Sequence, residues 1–308
     1  FDYTAQFDKA EINADNILVT EEEIKEAYEE VDDELIKVIR KAIKNIRDFH
    51  EKQIQKSWFE TREDGVMLGQ KVTPMETCGV YVPGGKAVYP SSVLMNIVPA
   101  HVAGVKNIIM TTPPGKDGKV TANTLVAAKE AGATKVYKVG GAQAIAAMAF
   151  GTESIPKVDK IVGPGNIFVA LAKKAVYGNV SIDSIAGPSE ILVLADETAN
   201  PRYVAADLLS QAEHDEMASA ILVTTSEELA HKVSDEIDGF LNQLSRKEIM
   251  EKSLDSFGYI LVASDMKEAI DTANAIASEH MEIMTANPFD VMTRIKNAGA
   301  IFIGAYSC

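Results

Sequence analysis

At 308 residues the chain is too long for one small core and fits two domains of ordinary size. Hydrophobic residues make up 46% and charged residues 24%, the balance of a soluble globular protein. A formal charge of -15, with acidic residues spread along the chain, argues against a nucleic-acid or anionic-membrane partner, which would need a basic patch. The two cysteines, Cys78 and Cys308, are too few for a disulfide framework and form no C-x-x-C pair. No apolar run approaches the ~20 residues of a membrane helix. The first residues show no basic and apolar leader pattern, so a cytoplasmic location is expected.

Taken in chain order, the first element is helical. Thr20-Glu-Glu-Glu23 is a capping box, and the apolar residues Ile24, Ala27, Val31, Leu35, Val38, Ala42, Ile46 and Phe49 follow it at helical spacing. The stripe is longer than one compact helix needs and reads as a broken helical pair. From about residue 75 short apolar strands alternate with helices. Strands are expected over 80–82, 105–111, 135–139, 158–162, 191–195, 220–224, 259–263 and 300–303, with helices such as Ala122–Ala131 and 166–176 between them. Continuously apolar strands in that alternation point to the α/β class, with parallel sheets covered on both faces. Two such units are expected, divided near the Ala186-Gly-Pro-Ser189 turn, and they are candidates for a duplicated fold.

The usual nucleotide fingerprints are missing. There is no G-x-G-x-x-G after a strand, and the segment from Gly79 to Ala87 fails the phosphate-loop pattern in spacing and in its final hydroxyl. In their place are four glycine-rich turns: Tyr81-Val-Pro-Gly-Gly85, Val139-Gly-Gly-Ala-Gln143, Gly163-Pro-Gly-Asn166 and Ala186-Gly-Pro-Ser189. Any one of them is read more simply as a tight turn. Four together, each with a polar or aromatic group, point to a ligand crevice at the carboxyl ends of strands.

Two further constellations carry chemistry. Gln211 and His214 are three apart on an expected helix and would share a face, within reach of one ion. On spacing alone a solvated helix end is the simpler reading, because glutamine is an uncommon zinc ligand. Glu279 and His280 follow the helical run 266–277 and could divide acid–base work. Of the other histidines, His50 and His231 lie in charged helices and are expected to be solvated, whereas His101 sits in an apolar stretch and is expected to be packed. Cys78 is expected to be a small buried residue, not a nucleophile.

In order and spacing, from about residue 65 onward, these stretches resemble the histidinol dehydrogenase family. The carrying segments are Gly79 to Gly85, Val139 to Ile145, Phe150-Gly-Thr-Glu-Ser-Ile-Pro156, Val158 to Asn166, Ile185-Ala-Gly-Pro-Ser-Glu190, Leu209-Ser-Gln-Ala-Glu-His214 and Ser278-Glu-His280. The resemblance implies two incomplete Rossmann-like α/β/α domains of the aldehyde dehydrogenase kind with an N-terminal helical arm. Residues 81–189 would be an inserted NAD-contacting domain, and residues 1–80 and 190–308 a discontinuous one. It implies NAD contacts at Tyr81, Gln143 and Asn166, and substrate contacts at Ser189, Gln211, His214 and His280. Gln211 and His214 would be zinc ligands, and Glu279 and His280 the catalytic pair. The remaining two zinc ligands and a second catalytic histidine of the family have no counterpart up to Cys308.

The implied reaction is the oxidation of L-histidinol through the aldehyde to L-histidine with two NAD, in a homodimer. Two rivals stand beside it. One is an aldehyde dehydrogenase-like enzyme with a cysteine nucleophile, and the other is a non-catalytic binding protein on the same fold.

Overall fold

The structure is a computed structural model and describes residues 1–84, 90–185 and 187–306. It divides into two compact units, residues 1–186 and 187–308.

The first unit opens with a π-type turn, Thr4–Asp8. Residues 17–19 then lie along a sheet edge, where the Val19 N–H donates to the Val136 carbonyl and the Lys138 N–H to the Ile17 carbonyl. Helices α1 (Glu21–Glu30) and α2 (Asp33–His50) follow, broken at Val31 and Asp32 as the long apolar stripe suggested. The capping box forms in both directions between Thr20 and Glu23. A small antiparallel hairpin, β1 (Trp58–Thr61) and β2 (Met67–Gln70), is exposed along its length. The sequence did not suggest it, because nothing buried imposes alternation on its residues.

The remaining elements of this unit are β3 (Thr77–Tyr81), α3 (Pro90–Val102), β4 (Asn107–Thr112), α4 (Ala122–Ala131), β5 (Lys135–Lys138), α5 (Gly141–Phe150), β6 (Lys160–Val162), α6 (Ile167–Val176) and β7 (Ser181–Ile182). Their sheet is parallel, in the order β5-β4-β3-β6-β7. One face is covered by α1, α2, α3 and α4 through Val80, Val98, Met110 and Val126. The other is covered by α5 and α6 through Ile109, Ile145, Met148 and Ile161.

The second unit contains β8 (Glu190–Ala195), α7 (Pro201–Ala212), β9 (Ser219–Thr224), α8 (Glu227–Leu241), α9 (Lys247–Phe257), β10 (Gly258–Val262), α10 (Met266–Ile276), β11 (His280–Met284), α11 (Pro288–Arg294) and β12 (Ala300–Ile303). Its parallel sheet runs β10-β9-β8-β11-β12. Counted within each unit, both sheets have the Rossmann half order 3-2-1-4-5, so the duplication is one of topology. Val193, Leu208, Leu222 and Met284 build the core under α7, and Leu194, Val223, Ile270 and Ile283 the core under α10 and α11.

The division expected at residue 81 differs from the observed one. β3 crosses that point as a strand hydrogen-bonded on both sides, and α2 packs on α3. Within this chain, residues 1–80 therefore join the first unit, not residues 190–308.

Candidate active site

Three of the four glycine turns lie at the carboxyl edge of the first sheet. They cluster where the strand order reverses between β3 and β6, the position at which open α/β sheets bind ligands. A cleft of about 950 Å³ opens there and brings together Tyr81, Gln143 and Asn166, with Asp8, Phe7 and Phe168 beside them. That size suits a large cofactor.

Tyr81 closes β3 as a buried side chain, and its phenolic oxygen accepts a hydrogen bond from the Gly141 N–H at 3.1 Å. Burial pushes the phenol above its ordinary range, so it stays protonated near neutrality. Gln143 lies in the first turn of α5, whose N-cap Gly140 provides no side-chain cap, leaving backbone N–H groups for an anion. Asn166 is the N-cap of α6, and its Oδ1 accepts from the Phe168 and Val169 N–H groups. Its amide nitrogen is then the group able to face a ligand.

Gly163 permits the approach of two turns. Its φ is +114°, and a Cβ there would stand 2.0 Å from the Tyr81 carbonyl oxygen. The turn is clamped from below. Asp183 accepts from the Gly163 N–H at 2.8 Å, Lys173 donates to the Gly163 carbonyl at 2.9 Å, and Lys173 and Asp183 form an ion pair.

Sequence reasoning missed Asp8, Phe7 and Phe168. Asp8 is far from any motif, and burial raises its carboxyl above the usual range. The aromatic rings are exposed, so no apolar pattern marks them. The segment from Gly85 to Ala87 of the first glycine turn lies outside the described residues, as do Ala186 and Cys308.

In the second unit the chemistry lies at the opposite, amino edge of the sheet. Ser189 precedes β8, and its carbonyl accepts from the Ser219 N–H at the start of β9. Gln211 is in the last turn of α7 and 8% exposed. His214 is not on that helix. α7 ends at Ala212, and His214 sits exposed in the following turn, where its N–H donates to the Gln211 carbonyl. The shared helix face expected for this pair is therefore replaced by a helix end and a turn.

Glu279 and His280 also arrive differently from expectation. Ala277 ends α10 in the left-handed region at φ +57°, and His280 is the first residue of β11. β11 lies beside β8, which lies beside β9, so the Gln–His and Glu–His pairs occupy one edge of one sheet.

The His280 Nδ1 lies 3.3 Å from the Glu190 carbonyl oxygen. A carbonyl only accepts, so Nδ1 carries the proton and Nε2 is left as the basic nitrogen. The nearest Glu279 carboxylate oxygen is 3.9 Å from Nδ1. The imidazole tilts against Phe302 of β12, with ring centroids 6.0 Å apart.

The other histidines carry no such arrangement. His101, expected to be packed, is exposed at the last turn of α3, because it faces Gly132 and not the core. His231 is exposed, and His50 is half-buried beside Gln53.

Gln211 and His214 offer an amide oxygen and an imidazole. Among the described residues no three His, Cys, Asp or Glu side chains gather into a metal-holding group. Two donors do not make a tight zinc site, which takes at least three from protein. The residues present therefore do not by themselves fit a closed zinc centre.

Cys78 is buried, as expected, and burial pushes its thiol up to about 11. A neutral, enclosed thiol is a poor nucleophile. Alkylating reagents are expected to modify Cys78 of the folded protein far more slowly than a free thiol, by mass spectrometric time course. Rapid modification that substrate blocks would revive the cysteine rival.

The profile of the family described as "Histidinol dehydrogenase" matches residues 1–308. The histidinol dehydrogenase of Bacillus subtilis strain 168 is 60% identical over 305 residues, covering 99% of this chain and 71% of the relative. A crystal structure of histidinol dehydrogenase from Elizabethkingia anophelis superposes with a TM-score of 0.95 at 42% identity, covering 100% of this chain and 70% of that one. A propionaldehyde dehydrogenase from a Clostridium phytofermentans microcompartment matches at a TM-score of 0.53 and 13% identity, over 98% of this chain and 86% of that one, a likeness of fold alone. The chain belongs to the histidinol dehydrogenase family.

Proposed function

We propose that the chain carries out the NAD-dependent oxidation of L-histidinol through the aldehyde to L-histidine, a four-electron reaction using two NAD. What supports this reading is that the Gln211–His214 and Glu279–His280 pairs fall at the same edge of one sheet, in a chain that matches the family along its whole length. The reaction class, a dehydrogenase acting on a CH–OH group, comes with membership.

His280 is the general base. With Nδ1–H held by the Glu190 carbonyl, Nε2 takes the hydroxyl proton as the carbinol C–H pair departs. Glu279, exposed beside it, takes a proton from the water that adds to the aldehyde carbon, preparing the second oxidation. Ser189, Gln211 and His214 orient the substrate. Fixing geometry in this way can supply several kcal/mol of barrier lowering. When bound, NAD supplies the hydride acceptor. Tyr81, Gln143 and Asn166 are its contacts in the cleft of the first unit, with the uncapped start of α5 offered to its phosphates.

Zinc belongs to the reading only through the donors Gln211 and His214, and no step is derived through it. The 308-residue chain is accordingly expected to lose zinc on dialysis. Metal analysis finding one tightly held zinc per chain would contradict this. A homodimer in the cytoplasm, without nucleic-acid or membrane partners, completes the proposal, and the charge of -15 supports that last point. No helix among the described residues is long and apolar enough to cross a membrane.

The test is direct. The intact enzyme, given L-histidinol and NAD, is expected to form two NADH for each histidinol consumed. Failure to form NADH defeats the proposal and favours a binding protein on the same fold. A single NADH per histidinol limits the reaction to the aldehyde and refutes the role given to Glu279.

A further inference from the structure

Among the described residues, the cleft of the first unit is lined by one carboxyl group, Asp8, to which the cofactor contacts above give no role. In Rossmann-type units a carboxylate just past the second strand accepts hydrogen bonds from the adenosine ribose, and an arginine nearby receives the 2′-phosphate of NADP instead. The second strand of this unit's βαβ pair is β4, and it runs out into Pro113 and Pro114. Pro113 lines the cleft, with no polar atom in its side chain. Asp117, the first acidic residue after it, is turned back on its own loop, where it accepts from the Lys119 N–H at 3.1 Å. The usual position of the ribose carboxylate is therefore empty of one.

Asp8 reaches the same cleft from a different part of the chain. It closes the turn Thr4–Asp8, whose place is fixed from both sides. Thr4 and Ala10 are each 1% exposed, and Ala10 and Ile12 join the core that contains Tyr81 and Val139. Between Asp8 and that core the chain turns at Lys9, in the left-handed region at φ +58°. The Lys9 ammonium donates to the Gln6 carbonyl at 2.6 Å. Asp8 itself is half-buried, and among the described residues its carboxylate has no hydrogen-bond or ion-pair partner. No lysine, arginine or histidine is among the described residues that line the cleft. The cofactor's pyrophosphate has the uncapped start of α5. A further phosphate on the 2′-oxygen would meet no cation there and would lie beside a carboxylate, a placement that like charges strongly oppose.

We propose that Asp8 selects NAD over NADP, accepting hydrogen bonds from the adenosine ribose hydroxyls and excluding a 2′-phosphate. This role rests on the reading of the cleft as the NAD site. The adenosine ribose is at the far end of the cofactor from the nicotinamide, so Asp8 takes no part in hydride transfer.

Binding is measured on the intact enzyme by titration calorimetry with NADH and with NADPH, and no substrate is added. Wild type is expected to bind NADH about 100-fold more tightly than NADPH. Asp8→Ala is expected to weaken NADH about tenfold, through loss of hydrogen bonds to a charged acceptor. The same variant is expected to tighten NADPH about tenfold by removing the repulsion, so that the preference disappears. Asp8→Asn keeps the shape and one acceptor but not the charge. It is expected to shift each nucleotide about threefold in the same directions, leaving a preference of about tenfold.

The opposite signs separate specificity from damage, because a displaced turn would weaken both nucleotides together. An alanine variant that keeps the wild-type ratio of the two dissociation constants, or loses both nucleotides equally, overturns the assignment. So does a wild-type enzyme that binds NADH and NADPH alike. Should alanine fail to fold, the ratio in the asparagine variant decides it in the same way. Wild-type enzyme that binds neither nucleotide removes the NAD site and the role of Asp8 with it, whereas tight NADH binding with an unchanged ratio removes Asp8 alone.

Discussion

Replacing His280 by alanine is expected to lower kcat for histidinol oxidation by about 10³-fold, within the 10²–10⁴ that a positioned general base contributes. The reasoning starts from position. His280 begins a strand, its side chain is part-exposed, and its polar contacts are the Glu190 carbonyl at 3.3 Å and the Glu279 carboxylate at 3.9 Å. Removing the imidazole opens no core cavity, so stability is expected to change by no more than about 0.5 kcal/mol. The two outcomes together carry the test. Stopped-flow or steady-state NADH formation reads the loss, and a denaturant melt reads the fold. Alanine enzyme retaining a tenth or more of wild-type kcat would remove His280 from the chemistry. His280→Asn is expected to be similarly slow, because its amide can keep the bond to Glu190 yet offers no basic nitrogen at the Nε2 position.

The second large effect belongs to Lys173. This side chain is 2% exposed, beneath the Gly163 turn, and three contacts depend on one another there. The ammonium pairs with Asp183 and donates to the Gly163 carbonyl, while Asp183 accepts from the Gly163 N–H. Lys173→Met keeps most of the side-chain length, one atom short, and deletes the charge, leaving the Asp183 carboxylate without its cation. Lys173 is buried but Asp183 reaches solvent, so losing the ammonium and its bond to the Gly163 carbonyl costs about 2 kcal/mol. Equilibrium unfolding in denaturant should show that loss as a lower midpoint with unchanged slope. The glycine turn is also a wall of the cleft that holds Tyr81 and Asn166, so the NADH dissociation constant is expected to rise about tenfold, or about 1.4 kcal/mol. An unfolding midpoint equal to wild type would show that the turn stands without its clamp. Asp183→Asn, which keeps an acceptor for Gly163, should cost less than Lys173→Met.

Some of this architecture was legible in the residues because it is encoded locally. Thr20 and Glu23 cap each other within one turn, so the start of α1 follows from four residues. Helix α4 begins and ends where its apolar spacing and Gly132 place it, with the glycine at φ +100°. The continuous apolar runs of β4, β8 and β9 announce strands buried on both faces. Other elements were hidden for equally physical reasons. The hairpin of β1 and β2 is exposed on both faces, so nothing forces its side chains to alternate. β11 begins three residues after a helix that ends on Ala277, a non-glycine residue in the left-handed region, and no residue type advertises such a stop. Its buried Glu282 breaks the apolar run that would otherwise mark a strand.

By itself the sequence determined the α/β class, the alternation of strands and helices, and the identities of the glycine turns and of the Gln–His and Glu–His pairs. Each of these depends on spacing within a few residues. Only the tertiary structure decided which edge of which sheet each group reaches. It put Tyr81, Gln143 and Asn166 at the carboxyl edge of the first sheet and moved His214 off its helix into a turn. It also brought Gln211 and His280 to the amino edge of the second sheet. These outcomes depend on the order of parallel strands and on where α7 and α10 stop, and they are set by burial of side chains far apart in the chain, which no local pattern records.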